Sequence, residues 1–283
     1  MRKAILFTII VCIAMMTVGT GCTNKKVETE DSVAQDSIIT VPHDTIDSTS
    51  TIIEETPMPK AADQLFDDFF FNFIANKKLQ RNRIKFPLRS VDANGKVSEI
   101  KKEQWKTDQF FRRQGYYTLI FDDNKHMEAA KSTDIDSVIV EKIYLKQGIV
   151  EQYCFDHQEG TWRLSEIRKV GFNDNHNASF LNFLPKFFAE NNLSYVKNPL
   201  PYYGPDPNGE ETAMVRTKIA AAEWSSFLPE VPKNMIYNIL YGQKNVDSNQ
   251  KILTFRGLSN GVETQLVFKK KGNGWQLVKI NAS

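Results

Sequence analysis

Trp162-Arg163-Leu164-Ser165-Glu166-Ile167 and Trp275-Gln276-Leu277-Val278-Lys279-Ile280 are one pattern written twice, 113 residues apart. Each follows a glycine, Gly160-Thr161 in one place and Gly274 in the other. Working outward from this pair, the rest of the chain repeats as well. Phe66-x-x-Phe69-x-x-x-Phe73-Ile74-Ala75 returns as Phe180-x-x-Phe183-x-x-x-Phe187-Phe188-Ala189. Leu79 returns as Leu193, Pro87-Leu88 as Pro199-Leu200, Asn94-Gly95 as Asn208-Gly209, and Trp105 as Trp224. The offsets stay between 112 and 119 and the order is preserved, so the chain contains a duplication.

Both halves read alike. Leu65, Phe66, Phe69, Phe70, Phe73 and Ile74 fall at helical three-and-four spacing and make an apolar stripe, as do Phe180, Phe183, Leu184, Phe187 and Phe188. A loop with Pro and Gly follows, then a second helix carrying Trp105 or Trp224. Strand-like runs come next: 116–122, 137–146, 149–156 and 161–169 in the first half, and 235–241, 251–258, 262–270 and 275–281 in the second. Gly-containing links such as Gln147-Gly148, Glu159-Gly160, Asn260-Gly261 and Asn273-Gly274 suit hairpins. Helices followed by an antiparallel meander predict an α+β fold of two tandem repeats, each with helices packed on a curved antiparallel sheet. Alternation puts Trp162 and Leu164 on the face that meets the Phe66/Phe69/Phe73 stripe. Ile167 reaches that face only if a bulge intervenes, and Trp275, Leu277 and Ile280 repeat the argument.

Two helices and a meander ending in Gly-x-Trp-x-Leu-x-x-Ile resemble the nuclear transport factor 2-like cone. The whole span from Ala61 to Ser283 resembles an uncharacterised family of exported lipoproteins from gut anaerobes, a domain of unknown function with that fold. A cystatin-like sheet around one helix is the alternative for each half. The resemblance implies a pocket inside the cone, and some members of the fold, such as ketosteroid isomerase and polyketide cyclases, are enzymes. Those need a Tyr/Asp acid–base set in the cone. Tyr116, Tyr117, Asp122 and Asp123 lie near one strand, but alternation sends neighbours to opposite faces, so the sequence does not place them together and no catalytic residue is assigned.

The first sixty residues read as a leader and a tether. Arg2 and Lys3 precede an uncharged apolar run from Ala4 to Val18, too short for the roughly 20 residues of a bilayer-spanning helix, so residues 1–21 form a signal peptide. Gly19-Thr20-Gly21 before Cys22 resembles a bacterial lipobox, which implies a lipid-modified Cys22, although Gly19 stands where that motif usually has Leu. Ordinary cleavage with Cys22 a bystander is the alternative. Thr23 to Lys60 carries eight acids, three lysines and no aromatic residue, a composition that cannot order itself, so residues 22–60 form a lipidated disordered tether. Asp followed by Ser or Thr and then a small apolar residue or Thr recurs there at Ser32, Ser37, Thr45 and Ser48, and once more at Ser137. These sites resemble the O-glycosylation sequon of exported proteins in some Gram-negative anaerobes, and chance matches in a Ser/Thr/Asp-rich linker are the alternative. The expected domains are then 61–172 and 173–283.

Charge and motifs narrow the function. Without Arg2 and Lys3 the 36 basic residues become 34, equal to the 34 acids, so a nucleic-acid partner is not expected. Arg81-Asn82-Arg83, Arg112-Arg113 and Lys269-Lys270-Lys271 read as solvated faces. With Cys12 in the leader and Cys22 lipidated, Cys154 has no disulfide partner and reads as a small buried hydrophobe. The histidines fall at turns without metal-ligand spacing, and no Gly-rich phosphate loop is present, so neither metal nor cofactor is expected. Four prolines around Tyr202, Tyr203 and Gly204 make a stiff loop between Asn198 and Gly209. It is either a binding loop or a connector whose tyrosines pack on the domain. The expected protein is a non-enzymatic envelope lipoprotein binding a small ligand or an envelope protein. Its lipid anchor would hold it on the periplasmic face of the outer membrane. A cone-pocket isomerase or hydrolase, marked by a buried carboxylate beside Tyr, and a purely structural scaffold are the alternatives.

Overall fold

A computed structural model describes residues 58–189, 192–207, 209, 213–242 and 248–283. The leader, most of the tether, and Cys22, Ser32, Ser37, Thr45 and Ser48 lie outside them. In the first half, α1 (Phe66–Ala75) buries Phe66, Phe69, Phe70, Phe73 and Ile74. It ends at Asn76, whose side chain accepts from the Leu79 N–H at 2.8 Å and so caps α2 (Lys77–Asn82). There follow β1 (Ile84–Val91), β2 (Val97–Ile100), β3 (Tyr116–Phe121), α3 (Asn124–Glu128), β4 (Ser137–Tyr144), β5 (Ile149–Gln158) and β6 (Thr161–Gly171). The second half supplies α4 (Ala178–Phe188), β7 (Leu200–Pro205), β8 (Met214–Ile219), β9 (Met235–Leu240), β10 (Gln250–Gly257), β11 (Glu263–Lys271) and β12 (Gly274–Ala282).

The duplication is visible in three dimensions, and the final strands behave as their spacing demands. Ser165 is an extra residue in β6 opposite the Cys154/Phe155 step of β5, and Val278 is its counterpart in β12 opposite Val267/Phe268. Each bulge returns an isoleucine to the core face, so Trp162, Leu164 and Ile167 are buried together, as are Trp275, Leu277 and Ile280. Trp162 meets Phe66 edge-on at 5.0 Å and Trp275 meets Phe180 at 5.3 Å. The rings contribute both area and edge-to-face complementarity.

Two parts of the sequence reading are corrected. The Pro- and Gly-containing segments are not loops: β1 and β2 form a hairpin, as do β7 and β8, and β1 and β7 also pair in parallel with β6 and β12. Prolines interrupt the alternation that would have marked these outer strands. Trp105 does not sit on a helix but in an irregular segment, and Trp224 lies in a short 3-10 turn, Ala221–Phe227.

The sheets also do not follow the halves. One has the order β2-β1-β6-β5-β4-β9 and the other β8-β7-β12-β11-β10-β3, so each half lends its third strand to the other's sheet. β3 pairs along β10, and β9 pairs along β4. Where the two exchanged strands pass each other, the Thr118 hydroxyl donates to the Tyr237 carbonyl at 2.7 Å and accepts from the Tyr237 N–H at 2.8 Å. Asn238 Oδ1 accepts from the Ile120 N–H at 2.8 Å. Side chains thus satisfy backbone groups that each sheet would otherwise leave at a bare edge. Both strands are buried on both faces. Tyr117, Leu119 and Phe121 enter the first core with Tyr237 and Ile239, while Tyr116 and Ile120 enter the second with Ile236.

Truncating Trp162 or Trp275 to Ala should cost about 3–5 kcal/mol, read as a lowered denaturation midpoint; an unchanged midpoint would contradict their burial. Because each sheet needs a strand of the other half, fragments 58–172 and 173–283 should be unfolded when produced separately. Co-production should yield a folded complex by circular dichroism and gel filtration, and two independently folding fragments would refute the exchange.

Candidate functional site

The aromatic cores fill both cones. Phe69, Phe73, Leu164, Phe180, Phe187, Phe268 and Leu277 have no measurable exposure, so the interior of each sheet is packed side chain. Two concavities stand out among the described residues, one at the open end of the first half and one on the outer face of the second sheet.

The first is a mouth of about 480 Å³ bordered by the segment 106–110, α2 and β4. Its walls are set by Gln80, which is fully buried. The Gln80 amide nitrogen donates to the Phe73 carbonyl at 3.2 Å and the Asp108 carbonyl at 2.9 Å. Its oxygen accepts from Trp105 Nε1 at 3.0 Å and the Asp108 N–H at 2.9 Å. One side chain therefore pins both ends of Trp105–Asp108. Asp108 Oδ1 accepts from the Phe110 N–H at 2.8 Å, and Phe110 sits at φ +46°, a left-handed conformation costly for a bulky residue. That turn lays the Phe110 ring 4.6 Å from Lys142 Nζ and 4.8 Å from the Tyr153 ring. Lys142 pairs with Asp108 Oδ2, which also accepts from the Tyr153 hydroxyl at 3.0 Å.

Behind this pair, the Tyr153 hydroxyl also lies 3.1 Å from Glu151 Oε2, and Tyr144 donates to the same oxygen at 3.2 Å. Burial, then the charges of Asp108 and Glu151, drive the Tyr153 phenol far above its ordinary range, and burial with Glu151 pushes Tyr144 up to about 12. Both phenols stay protonated donors. Lys77, Lys106 and Arg113 stand on the rim, so four cations face one carboxylate there.

The second concavity is an open trough of about 970 Å³ on the outer face of β7, β8, β11 and β12. Register places Arg216, Tyr203, Asn281 and Gln265 in one row across the four strands. The Arg216 guanidinium lies 5.3 Å from the Tyr203 ring centre. Asn281 Nδ2 donates to Gln265 Oε1 at 3.0 Å, and Gln265 Nε2 donates to Glu263 at 2.7 Å. Glu263 is in turn clasped by Arg256 at 2.9 and 2.8 Å.

Residues 45–282 match the model of a family described as a domain of unknown function, DUF4348. The chain belongs to that family. It is also similar to a solved structure, an ntf2-like protein from Bacteroides fragilis NCTC 9343, at 35% identity and a TM-score of 0.70, covering 80% of this chain and 99% of that one. An uncharacterised family with the expected ntf2-like fold is thereby shown, and the cystatin-like alternative falls. No curated protein matches this DUF4348 chain.

The sequence-expected positions scatter. Tyr202 and Tyr203 lie not in a loop but on β7, facing opposite ways. Tyr202 is buried against Phe227 at 4.6 Å with its hydroxyl on the Pro205 carbonyl, while Tyr203 is half-buried in the outer row of the trough. Tyr116 and Tyr117 enter different cores, while Asp122 pairs with Lys251 and Asp123 with His126. Cys154 is half-buried, and burial pushes its thiol up. His157, expected in a turn, lies in β5 and stacks on Trp162 at 4.6 Å. Among the described residues no group of three or more His, Cys, Asp or Glu could hold a metal ion. The mouth residues carry no motif. Their one signal was Glu141-Lys142, two charges inside the apolar run 138–143.

Near the strand crossing, Tyr241 donates to Asp67 at 2.7 Å, and burial raises the Asp67 carboxyl above its ordinary value despite that bond and Arg256. A carboxyl raised in the fold penalises the fold when ionised; that penalty is absent below the ordinary carboxylate range and present at neutral pH. Asp67→Asn should therefore raise the melting temperature at about pH 7, with the gain fading towards about pH 3. A loss of stability at neutral pH would reverse this reading.

Proposed function

We propose that this chain is a membrane-tethered accessory module that binds a small anionic ligand at the mouth of its first half without transforming it. What carries the reading is the bonding of Asp108. Its carboxylate takes the Phe110 N–H, the Tyr153 hydroxyl and Lys142, leaving no free base, while Tyr153 is held as a donor far from titration. With Asp108 already satisfied, the exposed Lys106 and Arg113 on a backbone fixed by Gln80 suit anion binding at low ordering cost. The cone fold, otherwise filled with aromatic rings, supports a ligand-binding or accessory role over a chamber for chemistry.

Attachment is proposed through a lipid on Cys22, with 22–60 as the tether, Ser32, Ser37, Thr45 and Ser48 as O-glycosylation sites, and the periplasmic face of the outer membrane as the location. Among the described residues no helix is long and apolar enough to cross a membrane. The Asp108–Tyr153 pair also supports a second reading, an isomerase or hydrolase in which Asp108 is released from Lys142 to act as base.

Cys22→Ala should release the protein from membranes or stall its processing; membrane partitioning that survives alkaline washing would end the anchor proposal. In calorimetric titrations with inorganic phosphate and with succinate, Lys106→Glu/Arg113→Glu should lower affinity at least about tenfold, or roughly 1.4 kcal/mol. Equal affinity in the double variant would refute the mouth as the site. Turnover of a ketosteroid or ester substrate that Asp108→Asn abolishes would favour the enzyme reading instead.

A further inference from the structure

We propose that the trough on the second sheet is a separate binding site for an acidic oligosaccharide. The duplication lets the two sheets be compared row by row. In the second sheet the row across β8, β7, β12 and β11 reads Arg216, Tyr203, Asn281, Gln265. The same register in the first sheet, across β2, β1, β6 and β5, reads Val97, Val91, Arg168, Gln152. Two valines on equivalent outer strands are thus replaced by a cation and an aromatic ring in one repeat only. The core residues on the opposite face, Trp162 and Trp275 with their leucines and isoleucines, are kept in both. The fold does not need Arg216 or Tyr203, because the first sheet stands without them.

The chemistry of the row selects the ligand. Four strands at about 4.8 Å spacing make a row of roughly 14 Å, a length suited to a short chain of sugar rings lying across the sheet. Tyr203 is half-buried, with Arg216 held against its ring, which offers a flat face for the C–H side of a pyranose. Asn281 and Gln265 carry amides whose orientation is fixed by the chain of bonds to Glu263 and Arg256; the Asn281 carbonyl oxygen is covered, which leaves its amide nitrogen and the Gln265 amide for ring hydroxyls. Arg216, Lys218 and Lys279 all line the trough and are exposed. Glu263, the carboxylate among the lining side chains, is neutralised by Arg256, so the three cations are directed at charge on the ligand. A lipid would call for an apolar slot for its tail, and the row offers amides instead.

The test uses the full chain with tetragalacturonate as the acidic probe and a neutral galactose tetramer as control. Titration followed by nuclear magnetic resonance should shift the side-chain amides of Asn281 and Gln265 with tetragalacturonate and leave them unmoved by the neutral tetramer. Tyr203→Ala and Lys279→Glu should each weaken binding about tenfold or more with an unchanged melting temperature. Lys106→Glu/Arg113→Glu should leave it intact, which separates this site from the mouth. Equal response to both tetramers would overturn the proposal. So would binding untouched by Tyr203→Ala, or displacement from the trough by vesicles of anionic phospholipid but not by tetragalacturonate. If Tyr203→Ala fails to fold, Arg216→Glu on the exposed edge strand decides the same question.

Discussion

The crossing of β3 and β9 is the constraint on which the rest of this structure depends. Two strands taken from opposite halves meet without a ladder between them. Thr118 and Asn238 supply in side-chain form the hydrogen bonds that a ladder would have given. Asn238 then reaches on to Glu141, a fully buried carboxylate that also accepts from Gln152 and Asn175. Three amide donors around one buried carboxyl group offset a desolvation cost that no apolar packing could meet. Asn175 lies in the segment joining the halves, so strand exchange, buried carboxyl group and inter-half connection form one network. Half-satisfied, such a network would be worse than none, which makes its completeness a condition for the fold.

That arrangement also decides where a ligand can go. The shared strands press aromatic residues into both cones from the side, and the helices press them in from above, so each interior is lined by packed apolar side chains. Among the described residues, the rim of one cone and the outer row of one sheet are accessible. The two sites differ in character. The rim is rigid because Gln80 and the left-handed Phe110 fix its backbone, whereas the outer row is rigid because it rides on a sheet.

Much of the fold could be read from residue spacing alone. The Trp-x-Leu-x-x-Ile pattern requires a bulge to bury its isoleucine, and Ser165 and Val278 are those bulges. The exchange of β3 and β9 was not legible, because a strand buried on both faces shows the same apolar run whichever sheet it joins. The first two strands of each half were hidden by Pro87 and Pro201 and by pairing in parallel to a distant strand. Tyr202 and Tyr203 looked alike in sequence, and only the register of β7 tells that one belongs to the core. Asp108 and Tyr153 lie far apart in the chain, and their meeting depends on Gln80, whose type suggests nothing by itself. Lys142 was the one visible clue, a charge that an apolar strand does not need for packing.

The exchanged strands have a further consequence, for proteolysis and dilution. Had the two repeats been separate chains, lending each other a strand would have made an obligate pair, stable only above some protomer concentration. Joined through 172–177, the same lending becomes an intramolecular event at an effective concentration that dilution cannot lower. Neither half can then open alone, since withdrawing β3 or β9 uncovers both cores at once. A protease would find few partly open forms to cleave, and the molecule's lifetime would be set by global rather than local unfolding.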